Sequence, residues 1–300
     1  MSKKNIESDH GLTARMFVTG LLLVVLYGLI MTGLFFLTRS IALVLVIGVG
    51  AIFAQYWFSA SIALFSMQAR VVTPEEEPKL HEIMDRLCAL ANMPKPRVAV
   101  AETDVPNAFA TGRNPSAAVV CATRGLMRRL PDEELEAVLA HELSHVAHRD
   151  VAVMTIASSV GMLAGLISRM AMWGMMFSGN DRNGESLAAV ELAAMVVSFL
   201  VYVLSWLLTL ALSRYRELSA DRSGAILIGK PSVLAAALQR ITGDISKIPS
   251  RDLRKVETMN AFFFTPAVSG NSLAGLLSTH PSLEKRLAQL AEIERELGHP

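Results

Sequence analysis

The sequence predicts an α+β fold: a mainly helical integral membrane protein that carries a soluble domain with a small β-sheet. Hydrophobic residues make up 52% of the 300-residue chain and charged residues only 18%, whereas an average soluble domain contains about 25% charged residues. The apolar residues are concentrated in four long runs. The sequence between and after these runs has ordinary polarity and helix and strand patterns. We therefore expect one soluble domain assembled from two separated segments.

Each apolar run is long enough to cross the hydrocarbon core of a bilayer as a helix, which takes roughly 20 residues. The runs span residues 16–37, 41–65, 151–177 and 188–212. Arg169 interrupts the third run and Glu191 lies near the start of the fourth, and charges at such positions are expected near the interface or against a partner. We expect about four transmembrane helices in two hairpins, with two firm spans and a partly embedded hairpin as the alternative.

Basic residues beside the apolar runs predict the side of the membrane on which the soluble segments lie. Lys3, Lys4 and Arg15 precede the first run, and the turns on the opposite side carry only Arg39 and Arg182. Positive residues accumulate on the cytoplasmic side of a membrane, so we expect the soluble segments there. The predicted domains are an N-terminal hairpin (1–66), the first part of a cytoplasmic domain (67–150), a second hairpin (151–212) and the second part of that domain (213–300).

The soluble segments contain helix and strand patterns in a mixed order. Residues 74–92 carry apolar positions at helical spacing, and 97–101 alternate as in a strand,. Residues 107–114 have the composition of a turn around glycine, and 117–123 are β-branched and apolar,. A long helix is predicted to begin at Pro131, because proline at the first helical position followed by acidic residues is typical of a helix start,.

This long helix contains the sequence His141-Glu142-Leu143-Ser144-His145. Histidines four residues apart lie on one face of a helix, so both rings can bind the same ion. A catalytic zinc needs such nitrogen donors, an open position for water and a nearby carboxylate, here Glu142. The alternative is a pair of surface histidines. The apolar residues at 137–140 and Leu143 predict instead a buried helix, in which the histidines need a ligand or partner.

Glu217 is the best candidate for a third ligand, because it lies just after the fourth apolar run. If this stretch is helical, Asp221 lies one turn later on the same face. Asp221 is then placed to accept a hydrogen bond from a ligand imidazole and fix its tautomer. The alternative for Glu217 is a solvated helix charge among neighbouring arginines. His148 is interpreted as a residue of the helix end, not as a ligand.

Together these motifs resemble the HtpX-type membrane zinc peptidases, relatives of the CAAX prenyl endopeptidases in the gluzincin group. The resemblance runs through nearly the whole chain in the same order. It rests on the N-terminal hairpin and on four segments: NAFATG at 107–112, AVLAHELSHVAHRD at 137–150, RELSAD at 216–221 and STHP at 278–281. The fold implied by the resemblance is a gluzincin-like peptidase domain attached to membrane helices.

The resemblance implies a zinc metalloendopeptidase in which His141, His145 and Glu217 bind one Zn²⁺ per chain. Glu142 would be the general base, which accepts a proton from the metal-bound water and delivers it to the leaving amine. The strand at 117–123, interpreted as an edge strand, would hold the substrate extended through backbone hydrogen bonds.

Three further residues receive roles from the same resemblance. Asp221 would support a ligand from the second layer of the site. His280 would lie near the substrate or the oxyanion, although a histidine at a helix start ahead of Pro281 is an equal alternative. Arg286 would be a charge that anchors a helix.

The implied biology is protein quality control and stress response at the bacterial cytoplasmic (inner) membrane, with the active site facing the cytoplasm. The implied substrates are polypeptides, above all misfolded or damaged membrane proteins. A net charge of +1, with no basic patch interleaved with aromatic residues, gives no support for nucleic acid as a partner.

Two alternatives to general proteolysis stay open. The first alternative is a processing peptidase of narrow specificity. The second is a membrane scaffold or receptor that binds zinc without catalysis. Glu142 argues against the second alternative, because a purely structural zinc site does not need that carboxylate. The sequence assigns no oligomeric state, cleavage preference or regulator, and no function to Arg169, Glu191 or His148.

Overall fold

The computed structural model describes residues 10–38, 41–155, 184–245 and 280–298, with isolated helical positions at 157, 161, 163–164 and 172. The predicted third apolar run therefore lies mostly outside the described residues, and Arg169 is one of the residues left out. Of Glu191 only the helical backbone is described. The chain forms two compact units. The first comprises Met1–Thr13, Trp57–Ala152 and Ser213–Pro300. The second comprises Ala14–Tyr56 and Val153–Leu212.

The apolar runs form long helices where the structure describes them. Helix α1 is His10–Thr38 and helix α2 is Ile41–Ser66. Two described stretches are long and apolar enough to cross a membrane: Val46–Ser66, with a mean hydropathy of 1.5, and Met195–Ile228, with 2.3. The apolar stretch Phe17–Ile30 within α1 is shorter. The predicted count of four spans and the predicted domain boundaries stay predictions.

The unit formed by 14–56 and 153–212 has a small interior and an apolar surface. Leu23, Leu26 and Leu212 are buried in its core. Large apolar side chains are nevertheless exposed on its helices, for example Phe17, of which 71% is exposed, and Leu200, with 61%. A helix that is apolar all round is typical of a membrane span.

The other unit contains a four-stranded mixed sheet. Its strands are β1 (Ala69–Val71), β2 (Arg97–Ala101), β3 (Ala108–Thr111) and β4 (Val119–Thr123), in the spatial order β1-β2-β4-β3. Strands β2 and β4 are parallel, and the other two pairings are antiparallel. The predicted strand at 97–101 is β2 and the predicted strand at 117–123 contains β4.

Two expectations about the sheet were wrong. The segment 107–114, expected to be a turn, contains β3, and the expected edge strand β4 lies inside the sheet between β2 and β3. The edge strand of the sheet next to the helix that carries His141 and His145 is therefore β3. Its four residues are flanked by Asn107 and Gly112, both turn formers, so the local pattern hides a strand that is stabilised by pairing with β4.

Helices pack around this sheet and supply the core. They are α3 (Pro78–Ala91), α4 (Arg124–Arg129), α5 (Asp132–Ala147), the part of α6 (Gly184–Ile228) that begins at Ser213, α7 (Pro231–Ile245) and α8 (Leu283–Glu296). The core contains Met84, Leu126, Leu139 and Leu234, all fully buried. Helix α5 begins one residue later than predicted, because Pro131 is its N-cap, and three acidic residues occupy its first turn. The predicted helix at 74–92 is α3, with a start four residues later.

The hydroxyl of Thr123 joins three parts of this unit at the end of β4. It accepts hydrogen bonds from the backbone amides of Asn107, at 2.9 Å, and Leu126, at 3.1 Å. It donates to the carbonyl of Val105, at 2.8 Å. A hydroxyl has one donor and two acceptor positions, so Thr123 fixes the segment that leads into β3 and caps α4.

We predict that Thr123→Val lowers the stability of the protein. Valine keeps the shape of threonine but removes the hydroxyl, and each buried backbone group left unpaired costs about 1–3 kcal/mol. We expect an unfolding temperature in detergent that is lower by at least about 4 °C. Thr111→Val is the control, because this buried threonine of the neighbouring strand takes no part in the three bonds. Equal unfolding temperatures for both variants would contradict the assignment.

Candidate metal centre

Three buried side chains meet at one point in the unit that contains the sheet. The Nε2 atoms of His141 and His145 lie 3.1 Å apart. One carboxylate oxygen of Glu217 lies 3.7 Å from Nε2 of His141, and the other lies 3.5 Å from Nε2 of His145. All candidate ligand atoms lie within 4.8 Å of one another. Two imidazoles and one carboxylate form a donor set that fits a catalytic divalent metal.

The two helices that carry these residues approach each other closely. Helix α6 is continuous from the fourth apolar run to Ile228, so Glu217 and Asp221 lie one turn apart on it. Gly224 permits the approach, because a Cβ there would lie 2.9 Å from the backbone nitrogen of His141 and 3.0 Å from its Cα. Any larger residue at position 224 would push the glutamate away from the histidines.

The ring of His141 is oriented from the side away from the candidate metal position. Its Nδ1 lies 2.9 Å from Oδ1 of Asp221, which is fully buried. Arg286 of α8 donates two hydrogen bonds to the same carboxylate, at 2.7 and 2.6 Å. Such a carboxylate fixes the tautomer and ring orientation of a metal-binding histidine. Asp221 thus contacts a candidate ligand and Arg286 pairs with Asp221, and the roles predicted for these two residues stay predictions.

His145 has a corresponding partner that the sequence analysis missed. Its Nδ1 lies 2.5 Å from Oδ2 of Asp150, and Nε of Arg216 lies 3.1 Å from the same oxygen. Asp150 is buried although it follows the end of α5. Arg149 has the left-handed φ of 56°, so the chain turns back under His145. The helical spacing rule does not extend across such a turn, and the only sequence signal is an acidic residue soon after the motif.

The structure places the other two histidines of this region as well. Nδ1 of His280 lies 3.1 Å from a carboxylate oxygen of Glu217. Thus His280 contacts the third candidate ligand. His148 is the C-cap residue of α5, and its Nε2 lies 3.3 Å from the hydroxyl of Ser223.

Glu142 is buried beside the three candidate ligands but is not one of them. Burial raises the pKa of its carboxyl to about 8, although His141 and a hydrogen bond from the backbone amide of Ala110 act in the opposite direction. A cation bound at the adjacent ligands would favour the carboxylate form further. The Ala110 contact also places the edge strand β3 directly beside this group.

The charges of the candidate ligands depend on one another. Burial lowers the pKa of His141, but the carboxylates of Asp221 and Glu217 outweigh this effect and raise it to about 9. Burial raises the pKa of Glu217, but His280 and His141 outweigh it and hold that pKa well below its ordinary value. These opposite shifts show that His141 and Glu217 stabilise each other's charged forms,.

An HExxH helix, a glutamate from a second helix and a buried carboxylate next to them define a class of proteins. These parts can bind a metal ion, leave a position for water and take up the proton of that water. The class is that of metallopeptidases of the HExxH-plus-glutamate type.

The particular family follows from the comparison with known proteins. The model of Peptidase family M48 matches residues 74–294, and the chain belongs to this family. Protease HtpX homolog 1 of Streptomyces coelicolor is 56% identical over 297 residues, which cover 99% of this chain and 97% of the relative. The protease HtpX homolog of Aquifex aeolicus is 40% identical over 264 residues, covering 87% of this chain and 86% of the relative.

A solved structure shares the fold. The crystal structure of S. mikatae Ste24p matches with a TM-score of 0.51 at 18% identity, over 94% of this chain and 66% of that chain. The predicted family, the α+β fold class and the prediction of a metallopeptidase are confirmed. With its long apolar helices, the chain is a membrane-bound metallopeptidase.

We predict that Asp150→Asn weakens metal binding by roughly 10–100-fold, the usual cost of losing a residue that supports a metal ligand. The amide keeps the shape of the carboxylate but does not hold His145 in the same charged hydrogen bond. Competition with a chromophoric chelator measures the affinity. Asp104→Asn, at an exposed aspartate, is the control and should bind metal as the unchanged protein does. An affinity of Asp150→Asn equal to that of the control would refute the supporting role.

Proposed function

We propose that the protein is a zinc-dependent endopeptidase that hydrolyses misfolded or damaged membrane proteins on the cytoplasmic side of the bacterial cytoplasmic (inner) membrane. The observation that carries this proposal is the burial of Glu142, which is 4% exposed, directly beside the three candidate ligands. A non-catalytic metal site has no use for a further carboxylate in that position. The scaffold or receptor alternative is therefore the weaker one.

His141, His145 and Glu217 would hold one zinc ion per chain, and two imidazoles with one carboxylate favour zinc among the common divalent metals. When bound, the ion supplies a Lewis acid for the scissile carbonyl and lowers the pKa of water. Asp221 and Asp150 contact Nδ1 of the two rings, which would leave Nε2 of each ring as the metal-binding atom,. Their role is to keep the ligand atoms in place during turnover.

Glu142 is the general base and later the general acid. Its carboxylate accepts a proton from the attacking water and delivers it to the leaving amine. The backbone amide of Ala110 holds one face of this carboxylate, so the group keeps its orientation while its charge changes. His280 contacts Glu217, and we propose that it positions this ligand. A direct contact of His280 with the oxyanion stays a prediction.

The edge strand β3 is the proposed binding site for the substrate backbone. Asn107 pairs with Thr123 through a backbone hydrogen bond, and in an antiparallel pair the bonding direction alternates along the strand. Ala108 and Ala110 therefore direct their backbone groups away from β4. An extended peptide that adds to this edge is recognised by main-chain hydrogen bonds, which suits substrates of many sequences.

The distribution of basic residues and the apolar helices support the proposed location. Arg15 lies near the start of α1, and Arg70 follows α2. Positive residues at these helix ends favour the cytoplasmic side for the domain that contains the metal centre. A site attached to membrane helices on that side is suited to the cytoplasmic parts of membrane proteins, and this supports the proposed role in protein quality control.

We predict that Glu142→Gln lowers kcat/KM for an unfolded protein by about 10²–10⁴-fold, the usual contribution of a general acid–base group. The purified protein in detergent is loaded with zinc, and the cleavage of casein is measured beside a chelated sample. Metal content should stay near one ion per chain, because Glu142 is not a ligand. Glu136→Gln is the matched control, since this glutamate of the same helix pairs with Arg86 away from the site.

The same assay separates the alternatives. Cleavage by Glu142→Gln at the rate of the control would refute the general-base role. Stoichiometric zinc binding without cleavage of casein or of membrane proteins in liposomes would favour the narrow-specificity or receptor alternatives. For the location, liposomes with the peptidase domain facing outward should cut added substrates, and liposomes of the opposite orientation should not.

A further inference from the structure

A small pocket lies between the end of the edge strand β3 and the end of the metal-binding helix α5. Its lining includes Ala110, Gly112 and Ala118 on the side of the sheet, and His145 and Val146 on the side of the helix. Its volume is about 10 Å³, which is close to the space needed by one water molecule. A cavity of this size accepts a methyl group, admits a hydroxymethyl group only with a small adjustment, and excludes a branched or aromatic side chain.

The walls of this pocket have little freedom to move apart. Gly112 has a φ of +128°, and a Cβ there would lie 2.6 Å from the Cα of Ala118, so backbone contacts backbone on the sheet side. Val146 is buried in the core of the unit and is stiff because it is β-branched. A larger side chain could enter only if the core or the backbone moved, and close-packed interiors resist such movement.

The position of the pocket relates it to the proposed reaction. His145 is a candidate ligand, and the amide of Ala110 contacts Glu142; both residues line the pocket. A substrate extended along β3 points alternate side chains to opposite faces, so one of them faces α5. The pocket extends from Ala110 toward Gly112, the end of β3. In a substrate antiparallel to β3, this is the direction of the residues N-terminal to the cleaved bond.

We propose that this pocket is a subsite that selects small side chains, those of glycine, alanine or serine, at one of the two residues N-terminal to the cleaved bond. The inference rests on the proposed peptidase function and adds a preference for certain substrate residues. Backbone binding along β3 leaves most substrate positions unrestricted, and the pocket restricts one of them. The preferred substrates are then unfolded chains with small residues in extended segments.

The test uses two series of internally quenched peptides, which differ only in the first or only in the second residue before the cleaved bond and carry glycine, alanine, leucine or phenylalanine there. The zinc-loaded protein should cleave the alanine peptide at least about 10-fold faster, by kcat/KM, than the phenylalanine peptide, as expected for size exclusion by an apolar pocket. Cleavage sites in casein, mapped by mass spectrometry, should show the same preference within two residues of the bond.

Two variants change the pocket in opposite directions. Val146→Ala removes two methyl groups from one wall and should raise cleavage of the leucine peptide by about 10-fold relative to the alanine peptide. Ala110→Val narrows the pocket and should shift the preference toward glycine. Val138→Ala is the matched control, because it lies on the same helix in the same core but does not line the pocket. Its preference should equal that of the unchanged protein, with metal content measured for all variants.

Each outcome of this test supports or overturns the inference. Equal cleavage of the alanine and phenylalanine peptides in both series, or equal effects of Val146→Ala and Val138→Ala, would overturn the subsite while the peptidase function stands. A size preference confined to residues C-terminal to the cleaved bond would overturn the antiparallel placement. Absence of cleavage of every peptide and of casein would overturn the proposed function and the subsite together.

Discussion

The buried ion pair between Arg286 and Asp221 is the interaction on which the metal centre depends. Both side chains are almost completely removed from water, and an unpaired charge in such a place is strongly destabilising, by about 3–5 kcal/mol when one partner is lost. Arg286 lies on α8 and Asp221 on α6, and Asp221 also orients His141 of α5. One ion pair therefore links three helices from distant parts of the sequence. The helix near the C-terminus is part of the site although it supplies no ligand.

A carboxylate paired with an arginine also supports the second histidine, His145. The two carboxylate–arginine pairs together account for much of the charge of the metal centre. Each imidazole contacts a carboxylate, and each of those carboxylates contacts an arginine: Arg286 for Asp221 and Arg216 for Asp150. Within the described residues, the site contains four buried carboxylates, those of Glu142, Asp150, Glu217 and Asp221. When all four are ionised, two arginines balance half of this charge, and a divalent cation would balance the rest. The raised pKa of His141, about 9, results from the same negative surroundings.

The parts of the site that could be predicted from the sequence are those set by local helical geometry. The spacing of four residues determines that His141 and His145 share a face, and the same rule places Asp221 one turn after Glu217,. Asp150 was missed because it reaches the site through the left-handed turn at Arg149, which no periodic pattern reveals. Strand β3 was missed because a four-residue strand between turn formers is stabilised by non-local pairing with β4. The apolar runs predicted long helices by composition alone, without their packing.

The position of β3 at the edge gives a physical reason for selectivity toward damaged proteins under the proposed function. A peptide adds to a sheet edge only when its own backbone N–H and C=O groups are available, and in a folded protein these groups are already paired. Under the proposed function, the edge beside Ala110 and Glu142 therefore binds unfolded or frayed chains and not intact domains. If the proposed subsite is correct, the small pocket beside His145 determines which bond of an already unfolded chain is cut. Selection of the substrate by the backbone of β3 and selection of the bond by the pocket would then be separate steps.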